Sequence, residues 1–371
     1  MFSFSELMRR LDWILASAVF ILLAVGLVSL ASISSNFSFP FFGRQLIWAA
    51  LGIVVFFTFS FFDYRILRNY SGLLLILYGT LLASLVTLFI AATRVRGVLS
   101  WFHIGSFAIE PGEFMKIVLI LILAKYFSRR HVEIYRLRHL VISGLYAGLP
   151  AILILLQPDL GTALIIASIW LGIILFAGIH WKHLLIFFLL AIVVAVGAWF
   201  FVLLPYQQAR VVSFLNPWHD SRGTGYNAIQ SMIAVGSGGL WGKGVGYGSQ
   251  THLNFLPEPA TDFIFAAIAE EWGFLGILFL LSLFFVIFWR LTRIGMRAGD
   301  NFARLTVLGT ATVLFVHLVI HAGMNMGLLP ITGITLPFVS YGGSSLLTSM
   351  ALIGLVESIA VRSLKSGHLI G

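Results

Sequence analysis

The sequence predicts an all-α polytopic membrane protein with ten transmembrane helices, both termini cytoplasmic, and one long extracytoplasmic loop between helices 7 and 8. Three observations predict it. Of 371 residues, 60% are hydrophobic and 10% charged, against roughly 25% charged in a soluble domain. Too little polar surface is left to cover the apolar part in water, so lipid must solvate most of the chain. Ten apolar stretches approach the ~20 residues that cross ~30 Å of hydrocarbon. The Lys and Arg residues, finally, sort by the parity of the connections between those stretches.

In order, the stretches run Trp13 to Ile33, Gln45 to Phe62, Ser71 to Ala92, Glu113 to Phe127, His139 to Leu156, Gly161 to Ile179, Leu184 to Leu204, Phe263 to Trp289, Phe302 to Leu329 and Tyr341 to Val361. No small-residue cleavage site follows the first, which is therefore expected to stay attached. Of the 23 Lys and Arg residues, sixteen lie in segments of the same parity as the N-terminus. Six lie in the others (Arg44, Arg94, Arg96, Arg210, Arg222, Lys243), and Lys116 starts a span. That bias puts both termini inside. The net charge of +9 gathers in no single patch and so argues against nucleic acid. The absence of cysteine excludes disulfides, thiolate metal sites and a cysteine nucleophile.

Residues 1–371 read as one domain, without repeats. The connection at 206–261 is longer than structureless loops usually are. It holds two apolar stretches too short to cross, Tyr226 to Val235 and Leu253 to Leu256, the mark of an interfacial or re-entrant helix.

Charges near or within spans are costly and are functional candidates by default. Glu110, Glu113, Asp159, Asp220, Glu258 and Asp262 fall outside or at outer helix ends, and Glu270, Glu271 and Glu357 within spans. Glu113 and Lys116, three apart, share a helix face and can pair. Asp159, in the turn Gln157-Pro158-Asp159-Leu160-Gly161-Thr162, and Asp262, at the start of the eighth span, are each also placed to serve as helix N-caps. Glu270 lies about 12 Å deeper than Asp262 along an ideal helix, so the two form no direct dyad; Glu270 lines the same cavity or bonds a neighbouring helix. The run Gly236-Ser237-Gly238-Gly239-Leu240-Trp241-Gly242-Lys243-Gly244 fails as a phosphate loop, because Ser237 stands at the first-glycine position and Gly244 at the last. Close backbone approach is the better reading. His317 and His321, four apart, read as buried polar contacts rather than metal ligands.

The stretch from Arg210 through Phe214-Leu215-Asn216-Pro217, Gly225-Tyr226, Gly236 to Gly244 and Leu256-Pro257-Glu258 to Thr261-Asp262-Phe263, then Glu270-Glu271, resembles the SEDS family (shape, elongation, division and sporulation). So do Arg44-Gln45, Gln157 to Thr162, and Leu336-Pro337-Phe338-Val339-Ser340-Tyr341-Gly342-Gly343-Ser344. The match covers essentially the whole chain. The short N-terminal tail and Gly242-Lys243-Gly244 followed by Asn254-Phe255-Leu256-Pro257 resemble the RodA branch more than the FtsW branch. Ala260 stands where the family usually has His, Ser100 where it has Arg, Glu110 where it has Gln, and His321 where it has Asn.

The resemblance implies a peptidoglycan glycosyltransferase in the bacterial cytoplasmic (inner) membrane, polymerising lipid II outside the cell for elongation and cell-shape maintenance. A class B penicillin-binding protein would crosslink the strands. It also implies that Asp262 is catalytic and that Glu113, Lys116 and Asp159 line its cavity. Bond energy arrives with the diphosphate-linked donor, so the minimal machinery is a carboxylate base and positive charge for the departing pyrophosphate. Asp262 is expected as base, with Lys116, Arg210 and Arg44 or Arg96 as pyrophosphate partners. No nucleotide is required, and a divalent cation such as magnesium or manganese could substitute for or assist these cations. Two other readings stand beside this one: a lipid II flippase or ion-coupled transporter, which the residues alone rank first, and a non-enzymatic scaffold for the penicillin-binding protein.

Overall fold

A computed structural model describes residues 4–34, 41–91, 99–104, 107–129, 137–179, 181–201, 205–221, 223 and 225–363. The described chain forms α1 (Phe4–Arg10), α2 (Trp13–Ser34), α3 (Phe41–Phe61), α4 (Tyr64–Asn69) and α5 (Ser71–Ala91), then strands β1 (Phe102–Ile104) and β2 (Phe107–Ile109). There follow α6 (Pro111–Ser128), α7 (Leu137–Leu156), α8 (Leu160–Ala177), α9 (Trp181–Phe201) and α10 (Pro205–Leu215). A 3-10 turn (Pro217–Asp220), α11 (Tyr226–Ser237) and α12 (Ser249–His252) lead to α13 (Ile264–Arg297), α14 (Asn301–Asn325) and α15 (Gly343–Ser363). Among the described residues, eight helices are long and apolar enough to cross a membrane: α2, α3, α5, α7, α8, α13, α14 and α15. Expected spans four and seven are the helices α6 and α9, and α6 carries Glu113, Lys116 and Lys125.

One short strand pair accompanies the helices among the described residues. β1 and β2 pair antiparallel with Phe102 opposite Ile109, a small hairpin that delivers the chain to the start of α6. Helix ends follow local chemistry. Asp159 caps α8 by accepting from Thr162 N, and Gly178, with φ of 95°, closes it in a left-handed cap. Asp300 caps α14 through Ala303 N at 2.8 Å. Pro150 inside α7 has no N–H, which leaves the carbonyl of Tyr146 without its helical donor. The Tyr78 hydroxyl of α5 donates to that carbonyl at 2.8 Å.

Among those eight helices, α15 is the most buried, with 83% of its most apolar stretch inside the protein. It packs against α3, α6, α13 and α14. The helices alternate in direction, so the starts of α6, α8, α13 and α15 and the end of α14 gather at the end of the bundle that carries the 202–263 insertion. We call this the insertion end.

The glycine-rich run makes the close backbone approach expected of it. α13 breaks at Gly273, whose φ of 68° and ψ of −166° suit a residue without a Cβ. The break frees backbone groups that lipid cannot satisfy. Lys243 N donates to Glu270 O and Gly244 N to Glu271 O, while Phe274 N and Leu275 N donate to the carbonyls of Gly239 and Leu240. Such contact requires a bare backbone: a Cβ on Gly242 would sit 2.2 Å from Glu271 O.

Gly242→Ala is therefore expected to destabilise the protein by more than about 1 kcal/mol. Gly236, on α11 with nothing within 4 Å of a built Cβ, supplies the contrast: Gly236→Ala should be neutral or stabilising by up to about 1 kcal/mol. Thermal unfolding of the two variants in one detergent checks the pair.

Candidate functional site

At the insertion end, Asp262 sits in the turn before α13 and is partly exposed. It is not the helix cap, because Phe263 holds that position without a side-chain cap bond. The turn is held from three sides. Tyr341 N donates to Ala260 O at 2.8 Å, Ser340 Oγ to Thr261 O at 2.9 Å, and Asn325 Nδ2 to Asp262 O at 3.0 Å. Gln45 of α3 in turn holds the Ser340 segment, donating to Ser340 O and accepting from Gly342 N.

The segment after α14 forms a wall between two groups of residues. On one side, Asp262 Oδ2 lies 3.6 Å from the position a Cβ on Gly333 would take, and Gly333 itself has φ of 75°. On the other, a Cβ on Gly161 would meet Thr332 O and Ile334 Cγ1, each at 2.9 Å. His317 and His321 face the carbonyls of Thr335 and Ile334 through Nδ1, at 3.0 and 2.7 Å. Both histidines are thus buried polar contacts, as their spacing suggested.

Behind this wall Lys116, 1% exposed, bonds Glu113 Oε1 at 2.7 Å and lies 3.1 Å from His317 Nε2. The pair expected from the i,i+3 spacing is present. The expectation that Lys116 meets a pyrophosphate needs revision, because its ammonium is enclosed and its charge already taken by Glu113. Asp159 joins the same side, accepting from Thr162 N at 3.0 Å and Ser100 Oγ at 3.2 Å. Glu110 accepts from Thr162 Oγ1 at 3.4 Å. Burial, then the negative charges of Glu113 and Asp159, pushes its carboxyl well above the usual carboxylate range. Folding thereby favours the neutral form of Glu110 beside two other acids.

Glu270, expected near the substrate, is fully buried and engaged elsewhere. Its oxygens accept from Lys243 Nζ, Ser249 Oγ, Gln250 N, and both N and Oγ1 of Thr251, which ties the start of α12 to α13. Arg44 is partly buried in the first turn of α3, next to Gln45. Arg210 lies on α10 and its side chain is outside the described set, as is the whole of Arg96. Among the described residues, no three His, Asp or Glu side chains converge as a metal-ligand set, so no step is derived through a metal ion. Sequence reasoning gave no role to Asn325, Gln45 or Ser340, although the last two lie in motifs it quoted. An asparagine at the end of an apolar span is itself the available signal for the first.

The FtsW, RodA and SpoVE family, described as cell cycle protein, matches residues 9–365. Stage V sporulation protein E of Bacillus subtilis (strain 168) is 37% identical over 357 residues, covering 94% of this chain and 96% of that protein. The peptidoglycan glycosyltransferase MrdB of Escherichia coli (strain K12) is 38% identical over 316 residues, 85% of this chain and 84% of the relative. Among solved structures, a chain from work on structural coordination of polymerization and crosslinking by a peptidoglycan synthase complex superposes with a TM-score of 0.80 at 33% identity, over 95% of this chain and 98% of that one.

Two measurements test the buried charges. Lys116→Met leaves Glu113 buried and unpaired and is expected to cost about 3–5 kcal/mol, much of which the double variant Glu113→Gln/Lys116→Met should recover. The neutral form of Glu110 is the one that folding favours, so its contribution is complete below the usual carboxylate range and is lost as pH rises through the elevated pKa. Unfolding midpoints of Glu110→Gln should consequently fall less steeply with rising pH than those of the wild type.

Proposed function

We propose a function from one premise: this chain belongs to the FtsW, RodA and SpoVE family, the SEDS family, and is a peptidoglycan glycosyltransferase of the bacterial membrane. Its substrate is lipid II, and its product a glycan strand. The observation that carries the mechanism is a partly exposed carboxylate, Asp262, on a turn pinned by Asn325, Ser340 and Tyr341. A base must be reachable by its substrate; Glu113 and Glu270 are enclosed and Asp159 caps α8, while Asp262 is the acid to which the family resemblance assigns the catalytic role.

In the proposed step, Asp262 accepts the proton of an acceptor sugar 4-hydroxyl as that oxygen bonds to the anomeric carbon of the donor. The carbon–oxygen bond to the diphosphate breaks, and the lipid-linked diphosphate leaves with the electron pair. One displacement inverts the anomeric centre, turning an α-linked donor into a β-linked polymer. Arg210, with Arg44 or Arg96, is proposed to meet the departing charge. Lys116 and Glu113 instead act as a positioning pair behind the Gly333 wall, and Asp159 holds the start of α8.

The proposed topology counts α6 and α9 as crossings, ten in all, and reads the Lys and Arg bias as both termini in the cytoplasm and the insertion end outside. A class B penicillin-binding protein transpeptidase is the proposed partner. The chemistry of crosslinking requires one, and the solved relative belongs to a complex that couples polymerization with crosslinking. Elongation is the proposed role, on the branch-level sequence resemblance around Gly242-Lys243-Gly244.

Purified protein with a cognate transpeptidase, given labelled lipid II, separates the readings. Polymer means enzyme, altered leaflet exposure means transport, and neither means scaffold. Asp262→Asn is nearly isosteric, keeps the backbone-carbonyl bonds that hold the turn, and removes the base. Polymerisation is expected to fall by about 10²-fold or more with the unfolding midpoint retained; normal polymerisation by this folded variant would sink the assignment.

A further inference from the structure

The end of the bundle opposite the insertion holds two neighbouring cavities that the proposed reaction does not use. One, of about 220 Å³, is lined by Tyr64, Arg65, Arg68, Asp300 and Arg362 among others. Its neighbour, of about 290 Å³, shares Arg68 and Asp300 and adds Asn69, Lys125 and Arg129. Five cations therefore face one lining carboxylate, and that carboxylate is spent. Asp300 Oδ2 accepts from Arg68 Nη1 at 2.9 Å and Tyr64 Oη at 3.1 Å, while Oδ1 caps α14. Asp63, just outside, lies 3.4 Å from Arg362 Nε and caps α4 through Arg65 N.

The two buried cations are fixed largely by backbone carbonyls. Lys125 Nζ donates to Leu67 O, and the Arg362 guanidinium donates to Ser60 O, Phe61 O and Ser358 O. The carbonyl dipole orients Lys125 without cancelling its charge, whereas Arg362 is also paired with Asp63. Arg65 and Arg129 are exposed, and neither has a carboxylate at ion-pair distance among the described residues. Like charges gathered around a cavity repel, and an anion between them relieves that repulsion. Arginine's planar fork matches the oxygens of a phosphate.

The surroundings select the kind of anion. The cavities open where the apolar stretches stop: α5 begins at Ser71, α6 ends at Ser128 and α14 begins at Asn301. Beside the cations, Ile66 is 40% exposed, Tyr70 66% and Leu73 38%, giving an apolar surface that a soluble phosphate would leave unused and an acyl chain would cover. We propose that this paired cavity binds the phosphate headgroup of an anionic phospholipid from the adjoining leaflet, with Arg65 and Arg129 at its mouth and Arg68, Lys125 and Arg362 at its base.

The test uses the full chain, delipidated in detergent, with lipid retention read by native mass spectrometry and thermal shift. Phosphatidylglycerol is expected to be held at least about tenfold more strongly than phosphatidylcholine, and Arg65→Gln/Arg129→Gln to lose about tenfold of that affinity. Arg65→Lys/Arg129→Lys should retain most of it. Arg293→Gln/Arg297→Gln, exposed on α13 at the same end but outside the cavities, should retain all of it. Lipid-free unfolding midpoints of the exposed-site variants are expected to match the wild type, which separates binding from folding. The proposal is overturned by equal retention of the two lipids, by undiminished retention in the Gln pair, by equal loss in the Lys pair or the α13 pair, or by displacement with millimolar glycerol 3-phosphate, which would mark a soluble-anion site.

Discussion

The side-chain amide of Asn325 is the joint on which the insertion end depends. Its Nδ2 donates to His321 O and Asp262 O, and its Oδ1 accepts from Ala266 N and Ser231 Oγ. Two donors and two acceptor positions are all used, and the residue is fully buried. Through it the end of α14, the start of α13 and the middle of α11 meet at one point. In a medium that offers no hydrogen bonds, irregular backbone persists only where protein satisfies it. The turn bearing Asp262 is such backbone, and Asn325 and Ser340 are what make it tolerable there.

The same constraint governs the other departures from regular helix. Pro150 orphans a carbonyl and Tyr78 supplies the donor. Gly273 breaks α13, and the glycine-rich run supplies both donors and acceptors. Buried charge is handled in a parallel way: Glu113 with Lys116, Glu270 with Lys243, and Glu271 with Ser32 and His252. At the opposite end, Glu357 accepts from Asp12 N, and Arg290 Nε bonds Asp12 Oδ2. Apart from Glu113–Lys116, which lies within α6, such pairs join different elements, and all of them leave these carboxylates little capacity for chemistry.

Much of the fold was legible before any coordinates, because a membrane span announces itself by length and composition. Each of the ten expected spans corresponds to a helix of at least 18 residues among the described ones. The ends were less legible. α13 runs on to Arg297, since a helix carrying Arg290, Arg293 and Arg297 continues readily beyond the apolar zone. α14 stops at Asn325, four residues before the hydropathy falls, because Asn325 turns its side chain to the joint and Gly327 takes φ of 73°. The β1–β2 hairpin escaped notice because its strands are three residues long.

For the site, sequence by itself determined the inventory: Asp262, the Glu113–Lys116 spacing, Asp159 at a helix start, and a glycine run unfit to hold phosphate. Those follow from local chemistry and from motif resemblance, both of which are linear properties of the chain. Tertiary structure decided which charges are already spent. Lys116 is closed off by Glu113 and His317, Glu270 by the start of α12, and Asp262 stands one residue short of a cap on a turn fixed from α14 and the 340–341 segment. The Glu113 partner of Lys116 was readable from the i,i+3 spacing; the bonds that hold the Asp262 turn were not, because hydrogen bonds between residues 59 to 79 positions apart exist only once the helices have packed.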